Sequence, residues 1–571
     1  MSETGGHDSA GTARGIDRRR FLQLGAIAAG QVAFGGWSTG RIEARPPLDL
    51  VLRGGRVVDG TGRPAFAADV AVRDGRIEAL GTLSAAGAAL VLDVTGLVVA
   101  PGFVDIHGHT DLGIFVDHLA DSKIRQGVTT EIVGQDGSSV LPVSDAMRAE
   151  RRRNTLERYD VEIDFTSWDE LFRLLSERGH LANFATMIGS GTVRETVIGN
   201  DDRPPSPAEL ERMVAEIERA RVSGAAGVSS GLEYTPNAFA DLDELVALAR
   251  PLVGTGLPYA SHLRNEADRV EEALAEGLAI AGTAGVPFQA SHLKAQGRRN
   301  WPKATSLIET LEAAAADRRV HFDRYPYTAY STGLASLFPA AVREGGTEAF
   351  LARLEDPGQE TTIRAAVAEK IAMMGDWDAI QIASVTGEAD EGAVGRRLGE
   401  YAAGRDADPY DVTVELLADS RNRVSIVGHG MSEENTRRFV VHPLGAICSD
   451  AGARRSTGPL SEGTPHPRAY GTYPRVLAKY VREERALPLE EAVRKMTSLP
   501  ASIVGLSDRG TIAVGRAADL VVFDSARVAD TATFEDPHRY PIGIPHVVVN
   551  GRVVVRDGEP TGALPGRVVS P

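Results

Sequence analysis

A single cysteine, Cys448, in a chain of 571 residues excludes an intrachain disulfide and any cysteine-based zinc finger. Positive charge is also in deficit. The 62 Lys and Arg residues against 78 Asp and Glu leave a formal charge of −16, which argues against non-specific binding to nucleic acid. Long apolar runs are missing: past a weakly apolar stretch near the N-terminus, no segment has the length and hydrophobicity of a membrane span. What remains is ordinary globular composition, 43% apolar and 25% charged, sufficient for a large core.

Four short apolar runs stand out because each ends in a residue able to bind a metal. Ala100-Pro101-Gly102-Phe103-Val104-Asp105-Ile106 ends in His107-Gly108-His109, Pro258-Tyr259-Ala260-Ser261 in His262, Val286-Pro287-Phe288-Gln289-Ala290-Ser291 in His292, and Ala446-Ile447-Cys448-Ser449 in Asp450. Buried strands of a parallel barrel read as such runs, and catalytic groups sit where those strands end. One histidine so placed is usually a satisfied polar residue. Four such endings in one chain point instead to imidazoles and a carboxylate gathered around a transition metal.

The chain is much longer than the roughly 250 residues of a bare eight-fold barrel. Residues 1–46 read as a leader: Arg18-Arg19-Arg20-Phe21-Leu22, followed by the mild apolar stretch from Leu24 to Phe34, resembles a twin-arginine export signal. It implies a periplasmic protein; the alternative is a basic tail. Residues 47–99 and 506–571 are rich in strands, with hairpin signals at Asp74-Gly75 and Asn550-Gly551. Each piece is too short for a comfortable core, so the two are expected to pair into one small β-sandwich. Between them strands and helices alternate, predicting a (β/α)8 barrel over 100–505 with strands near 98–106, 129–134, 182–188, 225–229, 257–262, 286–292, 319–325 and 445–450. The last connection is too long for a plain crossover, so residues 333–430, helical around 347–374 and 394–419, are expected to form an inserted subdomain or lid.

A hydrolytic metal site needs neutral imidazoles or carboxylates as ligands and a base for the proton of water. His107 and His109 can converge on one ion, and His262 and His292 on a second. Asp136, in Val133-Gly134-Gln135-Asp136-Gly137, is the candidate bridge, although by itself it also reads as a turn residue. Asp450 suits proton transfer from water to a leaving amine, or a structural turn. Lys294 would face the same mouth if its strand continues, where it could pair with a substrate carboxylate; a solvated surface lysine is the bland alternative. Tyr325, Tyr327, Tyr330 and Ser331 offer hydroxyls after the seventh strand.

These residues, together with Ser230-Gly231-Leu232-Glu233-Tyr234, His262-Leu263-Arg264-Asn265-Glu266, Ser291-His292-Leu293-Lys294, Asp323-Arg324-Tyr325-Pro326-Tyr327-Thr328, His466-Pro467-Arg468 and Met496-Thr497-Ser498-Leu499-Pro500-Ala501, resemble the D-aminoacylases (N-acyl-D-amino-acid deacylases) of the amidohydrolase superfamily from about residue 48 onward. The resemblance implies metal-dependent cleavage of the amide of an N-acyl-D-amino acid by metal-bound hydroxide, with Asp450 as base and then acid. It implies His107, His109, His262 and His292 as ligands of one or two divalent ions, Zn²⁺ foremost, and Lys294, Tyr325 and Ser331 as holders of the substrate carboxylate. Typical members carry Cys where this chain has Asp136; a harder ligand weakens zinc preference and favours a bridged pair. Two other readings fit the same fold: a D-specific peptidase, or a cyclic-amide hydrolase of the hydantoinase or dihydroorotase kind. The latter usually needs a fourth-strand lysine, and that stretch here is Gly227-Val228-Ser229-Ser230. A non-catalytic binding protein should have lost ligands, and none is missing.

The leader is testable directly. Replacing both Arg18 and Arg19 with Lys should trap the precursor in the cytoplasm, scored by cell fractionation; unchanged export of the double variant would show that the segment is not a twin-arginine signal.

Overall fold

The hairpin at Asp74-Gly75 shows how closely local sequence controls the backbone. Both residues have positive φ, 50° and 75°, as a two-residue hairpin turn requires, and they join β2 (Phe66–Arg73) to β3 (Arg76–Gly81). The computed structural model describes residues 47–571, and the expected export leader lies outside the described residues. Upstream of β2 runs β1 (Leu50–Val57); after β3 come β4 (Leu90–Asp93) and β5 (Val98–Pro101).

The barrel follows at once: β6 (Phe103–Asp105), β7 (Val128–Val133), β8 (Asn183–Thr186) with its continuation β9 (Ile188–Gly189), β10 (Val228–Gly231), β11 (Tyr259–His262), β12 (Phe288–Ala290) and β13 (Val320–Arg324). The chain then leaves the barrel for an antiparallel sheet of β14 (Ala329–Gly333), β15 (Ile380–Ser384) and β16 (Ser425–His429), in the order β14-β16-β15, and returns as β17 (Gly445–Ile447). Helices Gly346–Leu354, Pro357–Met374, Leu398–Ala403 and Pro409–Asp419 accompany that sheet. Strand β15 falls between the helical stretches read from sequence, as a short apolar run that resembles a buried helix turn until its partner is known.

Parallel pairing runs β6-β7-β8 and β9-β10-β11-β12-β13-β17. The backbone N–H of Met187 bonds Val133 O (2.8 Å) and that of Ala226 bonds Thr186 O (2.7 Å), joining the two sheets at one seam. At the other seam Asp450 N donates to His107 O (2.9 Å) and His109 N to Ala451 O (3.1 Å). The result is a closed eight-stranded barrel with its helices outside. One of these, Pro207–Val222, begins with the expected capping box, Ser206 Oγ accepting from Glu209 N while the Glu209 side chain accepts from Ser206 N, and it buries Met213, Ile217 and Ala220.

The stretch expected as one strand over 98–106 is two. Residues 98–101 belong to the terminal sheet and only 103–105 to the barrel, so the barrel begins after Gly102 and not at residue 100. A Cβ on Gly102 would lie 2.1 Å from Thr129 Oγ1; only glycine lets the chain pass this close to β7 while it changes sheets.

The C-terminal strands β18 (Leu520–Phe523), β19 (His546–Val549), β20 (Arg552–Arg556) and β21 (Glu559–Pro560) complete a nine-stranded sheet with the N-terminal ones through antiparallel pairing of β18 with β5. Its alternation puts Leu520 and Val522 into one apolar cluster with Leu50, Val70 and Val548. Val521 and Phe523 face another that includes Phe103, Val128 and Tyr473. Both faces are therefore covered, which explains why these strands are apolar throughout.

Beneath the barrel mouth lies a buried ionic group. Lys123 Nζ pairs with Asp105, with Glu131 (3.2 Å) and with Ser449 Oγ (2.7 Å), all at less than a tenth exposure. Asp105 also accepts from Ser449 N (2.9 Å), so the lysine ties the first strand to the last one residue before Asp450. Lys123→Met leaves two buried carboxylates without their cation and should destabilise the fold by about 3–5 kcal/mol. The denaturant midpoint reads this; a midpoint equal to that of the wild type would show that the charges are not paired as described.

Candidate metal centre

Every ligand position lies at or just past the end of a barrel strand. His107 and His109 follow β6, Asp136 follows β7, His262 closes β11, His292 follows β12 and Asp450 follows β17. Three of these, Asp136, His292 and Asp450, have positive φ, at 52°, 34° and 50°. Such a backbone is costly for a residue other than glycine, and it persists where the surroundings impose it. Here it brings the side chains together at the mouth.

The carboxylate of Asp136 is the centre of the group. Its Oδ2 lies 3.3 Å from His107 Nε2 and 3.5 Å from His109 Nε2, and its Oδ1 lies 3.3 Å from His292 Nε2 and 3.9 Å from His262 Nδ1. On the far side Asp450 Oδ1 is 3.1 Å from His109 Nε2 and 3.6 Å from His107 Nε2. Donor atoms of His107, His109, Asp136 and Asp450 all fall within 4.8 Å of one another, as do those of Asp136, His262 and His292. His262 Nδ1 lies 3.0 Å from His292 Nε2, so ring nitrogens of two different strands meet at one point. His107 has both ring nitrogens buried without a hydrogen bond, and Asp136 Oδ1 is likewise buried and unpartnered. Four imidazoles, buried ring nitrogens without partners among the described residues and a carboxylate common to both groups fit one or two divalent cations.

Electrostatics agree. Burial alone would lower the pKa of His109, but its contacts with Asp136 and Asp450 outweigh that and push it up to about 9. Burial would raise the pKa of Asp136, and the imidazoles of His107 and His292 hold it well below the usual carboxylate range. The carboxylates are ready anions, and a cation would displace the protons they hold on the rings.

Around the centre stand groups that the sequence did not single out. Asp323, at 3.4 Å from His107 Nδ1, also accepts from His292 N (2.8 Å), a carboxylate supporting the ligands from behind. Glu266 lies 3.2 Å from His292 Nδ1 and accepts from Lys294 Nζ (2.5 Å). Glu233 lies 3.3 Å from His262 Nε2 and pairs at 3.0 Å with Lys370 of the inserted subdomain. Arg468 Nη1 donates to Asp450 Oδ2 (2.6 Å). Glu233, Glu266, Asp323 and Arg468 all occur in the stretches that carry the family resemblance, but nothing in their spacing separates them from surface residues.

A cavity of about 390 Å³ opens above the centre, lined by His109, Asp136, His262, His292 and Asp450 together with Lys294, Ser331 and Arg468. Lys294 is a buried lining residue, not a solvated one, and its ammonium is already held by Glu266 and His292. Tyr325, expected at the substrate carboxylate, is fully buried and outside the cavity lining; its ring lies under the guanidinium of Arg468 (4.6 Å) and its hydroxyl has no hydrogen bond. His466 is buried against Ala329 O (2.9 Å), and His442 contacts Glu312 (3.1 Å) at the surface.

Metal analysis of purified protein should find up to two divalent ions per chain. Asp136→Ala should lower that stoichiometry, and His262→Ala or His292→Ala should weaken binding by at least roughly tenfold. Unaltered metal content in all three variants would refute the ligand assignment.

Residues 458–555 match the Amidohydrolase family. Over 526 residues the chain is 35% identical to a D-aminoacylase of Alcaligenes xylosoxydans xylosoxydans, covering 92% of this chain and 98% of that one. It is also 35% identical to an N-acyl-D-glutamate deacylase of the same organism, covering 91% and 96%. Among solved structures, a D-aminoacylase superposes with a TM-score of 0.77 at 35% identity, over 92% of this chain and all of the other. The Bordetella bronchiseptica N-acyl-D-glutamate deacylase, complexed with zinc and a phosphonate mimic of the tetrahedral intermediate, gives 0.78 at 33% over the same shares. A D-hydantoinase, at 15% identity and a TM-score of 0.53, shares the fold alone. With this identity over nearly the whole of both sequences, the chain belongs to the D-aminoacylase family of the amidohydrolases.

Proposed function

We propose that the protein is a metal-dependent hydrolase that cleaves the amide of N-acyl-D-amino acids, releasing a carboxylate and a D-amino acid. The observation that carries the reading is the convergence of four histidines, Asp136 and Asp450 on one cavity that also holds Lys294 and Arg468. The relatives supply the class: D-aminoacylase, N-acyl-D-glutamate deacylase and N-acyl-D-aspartate deacylase, each at 34–35% identity. His107, His109, Asp136, His262, His292 and Asp450 would hold one or two divalent ions, zinc among them. When bound, such ions polarise an amide carbonyl and acidify water.

The chain's own groups account for the rest. Burial would raise the Asp450 pKa, but the Arg468 guanidinium and the nearby imidazoles hold it far below the usual carboxylate range, so it is ionised. Asp450 takes the proton of the attacking water and returns it to the amide nitrogen, without which the amine is a poor leaving group. Lys294 and Arg468 are the cations placed to hold the substrate carboxylate, with Ser331 beside them on the cavity wall and Tyr325 packed behind Arg468. Fourth-strand residues Val228–Gly231 include no lysine, which leaves the cyclic-amide reading without its usual bridging ligand. The leader supports export to the periplasm as part of the same proposal.

Paired N-acetyl-D- and N-acetyl-L-amino acids given to metal-loaded enzyme test the function, with hydrolysis of the D series expected and lost on chelation. Asp450→Asn keeps shape and removes the base, so kcat should fall by roughly 10²–10⁴. Cleavage of the L series alone, or an Asn variant keeping more than about a tenth of wild-type kcat, against the loss expected of general acid–base catalysis, would overturn the reading.

A further inference from the structure

Three of the four histidines have a carboxylate on the ring nitrogen turned away from the centre. His107 Nδ1 lies 3.4 Å from Asp323 Oδ1, His292 Nδ1 3.2 Å from Glu266 Oε1, and His262 Nε2 3.3 Å from Glu233 Oε2. Outer partners of this kind fix the ring orientation and tautomer of a metal-binding histidine. Two of the three are themselves held by barrel residues. Asp323 accepts from Gln289 on β12, and Glu266 accepts from Lys294 and Gln296 after it.

Glu233 follows β10, and the groups that grip it come from the inserted subdomain. Lys370, on the helix Pro357–Met374, places Nζ 3.0 Å from Glu233 Oε1, while Arg343 Nη2 donates to the Glu233 backbone oxygen (2.8 Å). The next residue repeats the arrangement. The Tyr234 ring packs on the His262 ring with centroids 4.6 Å apart, and its hydroxyl lies 3.2 Å from Thr332 Oγ1 on β14. The His262 ring is thus held by two adjacent residues, each tied in turn to the inserted segment.

A carboxylate paired with an ammonium can only accept, so His262 Nε2 carries the ring proton and Nδ1 keeps the lone pair. Nδ1 is the atom that faces the centre, 3.0 Å from His292 Nε2 and 3.9 Å from Asp136 Oδ1. Glu266 is no substitute for Glu233. Its Oε2 lies 3.9 Å from His262 Nε2 and already accepts from Gln296 Nε2 at 2.8 Å.

We propose that Glu233 is the positioning residue for His262 and that Lys370 holds it in place, so that the inserted subdomain sets how firmly the His262 side of the centre binds a divalent ion. Resting on the metal-dependent reading, with His262 a ligand, this role is independent of which amide is cleaved. Position and charge make opposite predictions for Lys370. If its ammonium acted by charge alone, removing it would strengthen the binding of a nearby divalent cation. As the anchor of Glu233, its removal weakens that binding.

Zn²⁺ titration of metal-free protein against a competing chelator reads each binding step, and His262→Ala identifies the step to which that ring contributes. Glu233→Ala should weaken the same step by about 10–100-fold, the usual effect of losing an outer partner, and Lys370→Met should weaken it too. Lys370 is only partly buried, so its variant stays informative should Glu233→Ala fail to fold. Visible absorption of the Co²⁺-loaded protein should change in both variants, because a turned ring alters the ligand field, whereas a loss of stability alone leaves the spectrum as it was. A step unchanged in Glu233→Ala, or Co²⁺ spectra identical to that of the wild type, overturns the positioning role. A step weakened by Glu233→Ala yet unchanged or strengthened by Lys370→Met overturns the link to the inserted subdomain. No change in His262→Ala would sink the ligand assignment itself, an outcome distinct from the failure of Glu233 alone.

Discussion

One carboxylate lies within 3.9 Å of a ring nitrogen on each of four histidines that come from three strands of the barrel. The imidazoles approach one another closely, His262 Nδ1 lying 3.0 Å from His292 Nε2, and the charge of Asp136 stands among them. With it, each half of the centre has an anion to offer to a divalent ion. A residue serving both halves makes their geometries interdependent. The chain takes up an unfavourable backbone angle at that residue, and at His292 and Asp450, in exchange for convergence.

Convergence at the mouth depends on order beneath it. Lys123 draws together Asp105, two residues before His107, and Ser449, one before Asp450. The seam that closes the barrel is therefore held by buried charge just under the ligands. A buried ion group of this kind adds little net stability over an apolar replacement, but it penalises any misaligned arrangement heavily. Asp323 plays a related part from β13, touching both His107 and the backbone of His292.

The strand-end histidines were legible because a short apolar run that stops at a ligand is a local pattern, and local patterns survive without knowledge of the fold. The capping box at Ser206 and the turn at Asp74-Gly75 are of the same kind. Glu233, Glu266 and Arg468 were not, since a charged residue in a loop looks the same whether it faces solvent or an imidazole. Tyr325 shows what packing adds to such a pattern: its place after the seventh strand is readable, but its position beneath the guanidinium of Arg468 is not. The break at Gly102 was hidden too, because apolar residues continue through it while the strand's neighbours change from β1 and β18 to β7.

Sequence by itself determined the barrel class, the pairing of the two chain ends, the metal-binding character of the centre and its six ligand candidates, because periodicity and residue chemistry act over short distances. Tertiary structure alone decided which groups neutralise one another. Lys294 pairs with Glu266, Arg468 with Asp450 and Lys370 with Glu233. Pairing energies fall steeply with separation and rise with burial, so they depend on ångström distances between residues up to 137 positions apart, and no spacing in the chain encodes those distances.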